Sequence, residues 1–212
     1  MDSWVWWKRK KPIRLRGPAS SEYNGLSETV EGDVSLVDSR VVVLSSSQEM
    51  THAIGIGVGR TLQSGDVVCL QGELGSGKTH LTKGIAVGLG LNEPVTSPTF
   101  IIVNEYAIPG RRYRLYHIDL YRVESLAEAL ATGLDEYWSG EDICVIEWAE
   151  RARPILPADH LWVNLDYCGS VSRRLEFEAF GPRSTDVLRQ IEPTLHKMGA
   201  ERDRGHEAMT CS

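Results

Sequence analysis

Val67-Val68-Cys69-Leu70-Gln71-Gly72-Glu73-Leu74-Gly75-Ser76-Gly77-Lys78-Thr79 is the stretch from which the rest of the chain is read. Its first five residues form a short, mostly apolar run, the kind found in a strand buried on both faces of a parallel sheet. The next eight fit G-x-x-x-x-G-K-[ST] at every fixed position. Glycines there let the backbone curl so that successive N–H groups converge on phosphate oxygens. Lys78 is spaced to reach the β- and γ-phosphates, Thr79 offers a hydroxyl to Mg²⁺, and a helix starting here turns its positive end to the anion. At ordinary glycine usage, a chance match in such a chain is on the order of 1%. Gly72–Thr79 therefore implies a nucleoside triphosphate site.

Working outward, Leu81, Ile85 and Leu89 continue a helical pattern that ends at Gly90. Upstream, Val41-Val42-Val43-Leu44 reads as a strand, and Ser46 with Glu49 as a capping box opening a helix through Met50, Ile54, Val58 and Leu62. Downstream, Val95–Tyr106 and Tyr113–Leu120 read as extended segments either side of Pro109-Gly110. A second capping box, Ser125 with Glu128, opens a helix that Gly133 stops. Ile143–Ile146 is another buried strand, and His160–Asp166 pairs with Arg174–Phe180 around Cys168-Gly169-Ser170. Strands alternating with helices imply an α/β fold: a P-loop NTPase-like three-layer domain on a mainly parallel or mixed central sheet.

The chain has 212 residues, with 23 Lys+Arg against 29 Asp+Glu, a net charge of −6. Residues 1–17 hold six basic side chains and one acid, +5, so the other 195 carry −11. A domain that acidic does not grip a nucleic-acid backbone unaided. Residues 1–39, rich in Ser, Gly, Pro and charge, read as a disordered extension carrying Trp4, Trp6 and Trp7 beside Lys8–Lys11. The P-loop domain spans 40–181, and 182–212 is a tail with one helical stretch interrupted by Pro193. Cys69 and Cys144 lie inside apolar runs, as core thiols do. No 18 apolar residues run together, and the N-terminus reverses the charge-then-apolar order of a signal peptide, so the cytoplasm is the expected location.

A P-loop needs carboxylates for its metal and water. Glu147 follows Ile143–Ile146, the position of a Walker-B acid, with Glu in place of the usual Asp. Asp119 ends Leu115-Tyr116-His117-Ile118 and reads equally well as an ordinary polar strand position. His117 reads as a hydrogen-bonded structural histidine, outside the catalytic set.

Gly72–Thr79, Ser97-Pro98-Thr99-Phe100, His117-Ile118-Asp119-Leu120-Tyr121-Arg122 and Val145-Ile146-Glu147-Trp148 stand in the order and rough spacing of the TsaE (YjeE) family, which residues 40–181 resemble. That family is the ATPase component of bacterial tRNA threonylcarbamoyladenosine synthesis. The resemblance implies a nucleotide held by Gly72, Glu73, Leu74, Gly75, Ser76, Gly77, Lys78, Thr79 and His80, with Trp148 beside it. Thr79, Asp119 and Glu147 would serve Mg²⁺, the two acids also acting catalytically on the attacking water. Ser97, Pro98 and Thr99 match a switch loop that senses the γ-phosphate. Gln48 and Thr51 fall on the adenine side, Gln48 replacing a common acid and His80 a common Thr. Arg173 matches a Gly-Arg-like step whose glycine is Ser172 here, and a surface arginine is the expectation.

The resemblance further implies ATP and Mg²⁺ as cofactors and TsaD and TsaB as protein partners. Those partners attach threonylcarbamoyl to adenosine 37 of tRNAs reading ANN codons, so tRNA is met only through the complex. No arginine finger stands out, which fits slow turnover. The rival readings are a P-loop small-molecule kinase, with Arg111, Arg112 and Arg114 as its cluster of arginines, and a nucleotide-binding module that never hydrolyses.

Overall fold

Val67–Gln71 forms strand β2, and its alternate side chains enter two separate apolar layers. Val68 and Leu70 face one, Val67 and Cys69 the other. The computed structural model describes residues 40–97, 102–131, 133–198 and 200–201. The 1–39 extension and the end of the tail lie outside the described residues, as do Pro98 and Thr99 of the expected switch loop.

The other strands are β1 (Arg40–Ser45), β3 (Val103–Ala107), β4 (Arg114–Asp119), β5 (Ile143–Glu147), β6 (Leu161–Tyr167), β7 (Arg173–Ala179) and β8 (Ala200–Glu201). They make one sheet in the order β3-β4-β5-β2-β6-β7-β1-β8. The four central strands β4-β5-β2-β6 are mutually parallel, and the outer pairings are antiparallel. Helices α1 (Gln48–Gly59), α2 (Lys78–Gly88) and α5 (Pro182–Lys197) supply one apolar layer. Short helices α3 (Leu126–Ala131) and α4 (Asp135–Trp138) and a 3₁₀ segment, Ala149–Ile155, cover the other face. The three-layer α/β class with a mixed sheet is what the chain adopts.

Local details differ from the sequence expectation. The first helix is capped by Ser47, whose Oγ accepts from Met50 N at 3.2 Å, one residue later than the expected Ser46–Glu49 box. Within Val95–Tyr106, of which residues 98–101 lie outside the described residues, Val95–Ser97 are not strand and β3 is Val103–Ala107. Helix α5 runs through Pro193 instead of breaking there. A helical proline costs roughly 3 kcal/mol. Val187, Leu188, Ile191 and Leu195 are each buried, at roughly 1.5–3 kcal/mol apiece, so burial outweighs the lost bond. The helix also starts firmly: Asp159 accepts from Arg183 N and Ser184 N, both at 2.8 Å.

The close crossing of α1 on α2 positions the P-loop. A Cβ on Gly84 would lie 2.1 Å from His52 O, and one on Gly55 would lie 2.3 Å from Leu81 O. Two helix backbones thus touch directly. This ties α1 to α2, whose first turns both line the cavity below.

Candidate nucleotide-binding site

The loop between β2 and α2 wraps the mouth of a cavity of about 490 Å³. Gly77 caps α2 with φ of +110°, a conformation that a side chain resists, so the turn needs glycine where the motif has it. Lys78 is 4% exposed. Its Nζ donates to Gly72 O at 2.6 Å and Glu73 O at 2.8 Å, and lies 3.9 Å from the centre of the Trp148 ring. Burial holds its pKa below the usual lysine value, against the opposing pull of Glu147, Glu150 and Asp119. An anion beside Nζ would relieve that penalty. Ser76 Oγ is buried without a hydrogen-bond partner. These features fit a polyphosphate.

Glu147 ends β5 at 2% exposure. Its Oε2 accepts from Thr79 Oγ1 at 2.9 Å, and its Oε1 from Thr82 Oγ1 at 3.3 Å. His117 Nε2 is 2.7 Å from the same Oε1. Asp119 pairs in register with Glu147 across β4 and β5, so both carboxylates leave the sheet at one edge. Asp119 accepts from Ser97 Oγ at 3.1 Å and from Tyr121 N at 2.9 Å. The structure thus brings Thr79, Asp119, Glu147 and Ser97 to one wall. Among the described residues no three His, Cys, Asp or Glu side chains form a metal cage. Mg²⁺ needs none, since it binds through one or two carboxylates, waters and phosphates.

Trp148 alone among described non-glycine residues has positive φ, +59°. That left-handed turn after Glu147 swings the ring over Lys78, with Tyr121 tilted against it at 5.1 Å. Arg151 lies 5.3 Å from the ring and donates to the carbonyls of Leu120, Tyr121 and Val123, tying the segment after Asp119 in place.

Gln48, Thr51 and His80 also line the cavity. His80 Nε2 is 2.8 Å from Gln48 Oε1, so the two departures from the family pattern touch one another. Burial, chiefly, lowers the His80 pKa. Thr51 is buried and bonded to Ser45 Oγ at 2.8 Å. Leu74, Gly75, Ser76 and Gly77 line the cavity, whereas Gly72 and Glu73 act behind it through the carbonyls that hold Lys78.

Sequence reasoning missed several wall residues: Ile102, Tyr121, Arg122, Val171 and Arg173. Arg173 is not a free surface arginine. Its Nε donates to Ser76 O at 3.0 Å and its Nη2 to Gly75 O at 3.4 Å. The Gly-Arg-like match carried the right signal, and the absent glycine masked it. Arg111, Arg112 and Arg114 do not line the cavity; Arg114 pairs with Glu105 and Arg111 lies over Tyr113.

A model of the TsaE family, described as threonylcarbamoyl adenosine biosynthesis protein TsaE, matches residues 45–175. A tRNA threonylcarbamoyladenosine biosynthesis protein TsaE from a Nostoc species is 39% identical over 160 residues, covering 74% of this chain and 96% of its own. The protein of that name from Bacillus subtilis is 42% identical over 138 residues, 64% of this chain and 83% of its own. The crystal structure of Bacillus subtilis YdiB superposes with a TM-score of 0.62 at 33% identity, covering 73% of this chain and 95% of that one.

Proposed function

The chain belongs to the TsaE family, and on that premise we propose that it binds Mg·ATP and hydrolyses it slowly as a nucleotide switch in tRNA threonylcarbamoyladenosine biosynthesis. The observation that carries the reading is the convergence of Lys78, Thr79, Asp119 and Glu147 on one cavity. Lys78 and the P-loop amides would hold the phosphates, with Thr79, Asp119 and Glu147 facing the metal side. Bound Mg²⁺ would neutralise charge on the phosphoryl oxygens during transfer. Glu147, fixed by Thr79 and His117, orients a water and accepts its proton at a carboxylate oxygen. Ser97 on Asp119 links the start of the switch loop to the same wall.

The reading extends to partners. TsaD and TsaB homologues would carry the threonylcarbamoyl transfer to adenosine 37 and hold the tRNA, which the acidic balance of this chain favours. The expected cytoplasmic location fits that work, and no described helix is long and apolar enough to cross a membrane.

Three measurements test it. Glu147→Gln should abolish phosphate release while leaving ATP binding intact; unchanged turnover would overturn the hydrolytic role. A strain lacking TsaE, supplied with this gene, should regain threonylcarbamoyladenosine in its tRNA. Release of phosphate without an acceptor favours the switch, whereas a phosphorylated metabolite would favour the kinase.

A further inference from the structure

Three consecutive P-loop carbonyls are held by the hairpin of β6 and β7, whose Arg173 also lines the cavity. Tyr167 Oη donates to Leu74 O at 2.8 Å. Arg173 donates to Gly75 O through Nη2 at 3.4 Å and to Ser76 O through Nε at 3.0 Å. The two grips support each other, because the Arg173 guanidinium carbon lies 4.2 Å from the centre of the Tyr167 ring. Nη1 donates to Ser172 O at 2.8 Å, and Cys168 N to Ser172 O at 3.0 Å, closing the hairpin end on which both residues sit.

Peptide geometry gives this grip a consequence. In a planar trans peptide the C=O of one residue and the N–H of the next point to opposite sides. Holding Leu74 O and Ser76 O toward Tyr167 and Arg173 turns Gly75 N–H and Gly77 N–H away from those two side chains, and all four loop residues, Leu74 to Gly77, line the cavity. The loop's glycines leave it free to adopt other conformations, so amides that must converge on phosphate need an external brace. Arg173 suits that role, because its planar fork holds Gly75 O, Ser76 O and Ser172 O from three separate nitrogens in fixed geometry, a spread that one lysine ammonium does not match.

Resting on the nucleotide-binding reading, we infer that Tyr167 and Arg173 are positioning residues that pre-set the P-loop amides for phosphate, acting through the loop's carbonyls and not on the ligand. If the brace keeps the binding-competent loop populated, removing it raises the apparent dissociation constant by the factor through which that population falls.

The experiment compares the full chain with Arg173→Ala, Arg173→Lys and Tyr167→Phe. ADP with Mg²⁺ is titrated calorimetrically, and amide hydrogen exchange is followed in the ligand-free proteins over residues 72–77. Arg173→Ala is expected to weaken ADP by about tenfold or more and to speed exchange in the loop, with exchange in the middle of α2 unchanged. Arg173→Lys should stay near the alanine value, and Tyr167→Phe, which loses one hydroxyl, should fall between. Wild-type affinity and loop exchange in Arg173→Ala would overturn the inference. So would full recovery in Arg173→Lys, which would mean that the arginine fork is not what sets the loop. Should Arg173→Ala not fold, Tyr167→Phe decides on the same two readouts. Should the wild-type chain fail to bind ADP, the functional reading falls, and loop exchange still decides whether the brace exists.

Discussion

His117 Nε2 lies 2.7 Å from Glu147 Oε1, with side-chain exposures of 0% and 3%. The contact follows from strand geometry. His117 and Asp119 are two residues apart on β4, so they share a face, and β5 runs parallel beside them. One strand thus delivers both a carboxylate to the cavity and a donor to the neighbouring strand's carboxylate. With Thr79, His117 fixes the orientation of Glu147, while the single Thr82 hydroxyl proton is shared between Glu147 Oε1 and Lys78 O. The expected hydrogen-bonded histidine is there, and its partner is the residue to which catalysis is assigned.

Replacing His117 by Phe should therefore cut ATP turnover by about tenfold or more while changing ATP affinity little. Hydrogen bonds to charged groups contribute about 1.5–3 kcal/mol, and a buried carboxylate that loses one is also less well aimed. His117→Gln, which keeps a donor, should recover part of the rate. Phosphate release and calorimetric titration separate the two effects; wild-type turnover in His117→Phe would rule out the holding role.

Gly84→Ala should destabilise the domain, although alanine is the better helix former by about 0.8–1.0 kcal/mol. The added Cβ would stand 2.1 Å from His52 O and 2.9 Å from the Cα of Gly55, both backbone atoms that cannot swing aside. Overpacking of this kind costs typically about 1–3 kcal/mol, so sterics win. Gly57→Ala is the contrast within the same helix pair. Its Cβ meets only Thr194 Cγ2 at 3.4 Å, and it should be neutral or mildly stabilising. Urea unfolding of the two variants should move the midpoint in opposite directions, or move it for Gly84→Ala alone.

This difference between two glycines marks where sequence reading stops. Apolar periodicity exposed the buried strands and α1 and α2, because burial on a sheet face imposes a period that composition records. The P-loop was legible because each of its residue types answers a separate physical demand at fixed spacing. Gly84 and Arg173 were not, since their roles depend on which backbone lies opposite, and only the assembled fold sets that. Pro193 misled for the same reason: a local cost was visible, whereas the burial outweighing it was spread over Val187, Leu188, Ile191 and Leu195.

Cys69 and Cys144 should resist alkylation in the folded chain. Both are 0% exposed. Burial pushes the Cys144 thiol up to about 12 and raises that of Cys69 well above its ordinary value. At about pH 8 neither presents appreciable thiolate, the form that reacts. Iodoacetamide followed by peptide mass mapping should leave both unmodified in native buffer and label both in guanidinium. Labelling of either in the native chain at the unfolded rate would show that the layer under β2 and β5 opens readily.

Acid should weaken the domain partly through His160. Its ring stacks on Phe180 at 4.8 Å and 8°, meets Trp162 edge-on at 5.9 Å, and places Nδ1 2.7 Å from Pro157 O. Its pKa is lowered, chiefly by burial and further by Arg153, against the raising effects of Pro157 O, Asp159 and Glu178. The sign follows from proton counting. Because the folded state holds the lower pKa, the unfolded chain takes up the proton first as pH falls from the usual histidine value near 6.5. This histidine's contribution to stability is present above that pH and declines below it until the folded state is protonated too. His160→Phe keeps a ring against Phe180 and removes the titration. Melting temperatures at about pH 7.5 and about pH 5.5 should therefore differ less in His160→Phe than in the wild type, the carboxylates contributing alike to both. Equal differences in the two proteins would show that His160 titrates no differently folded than unfolded.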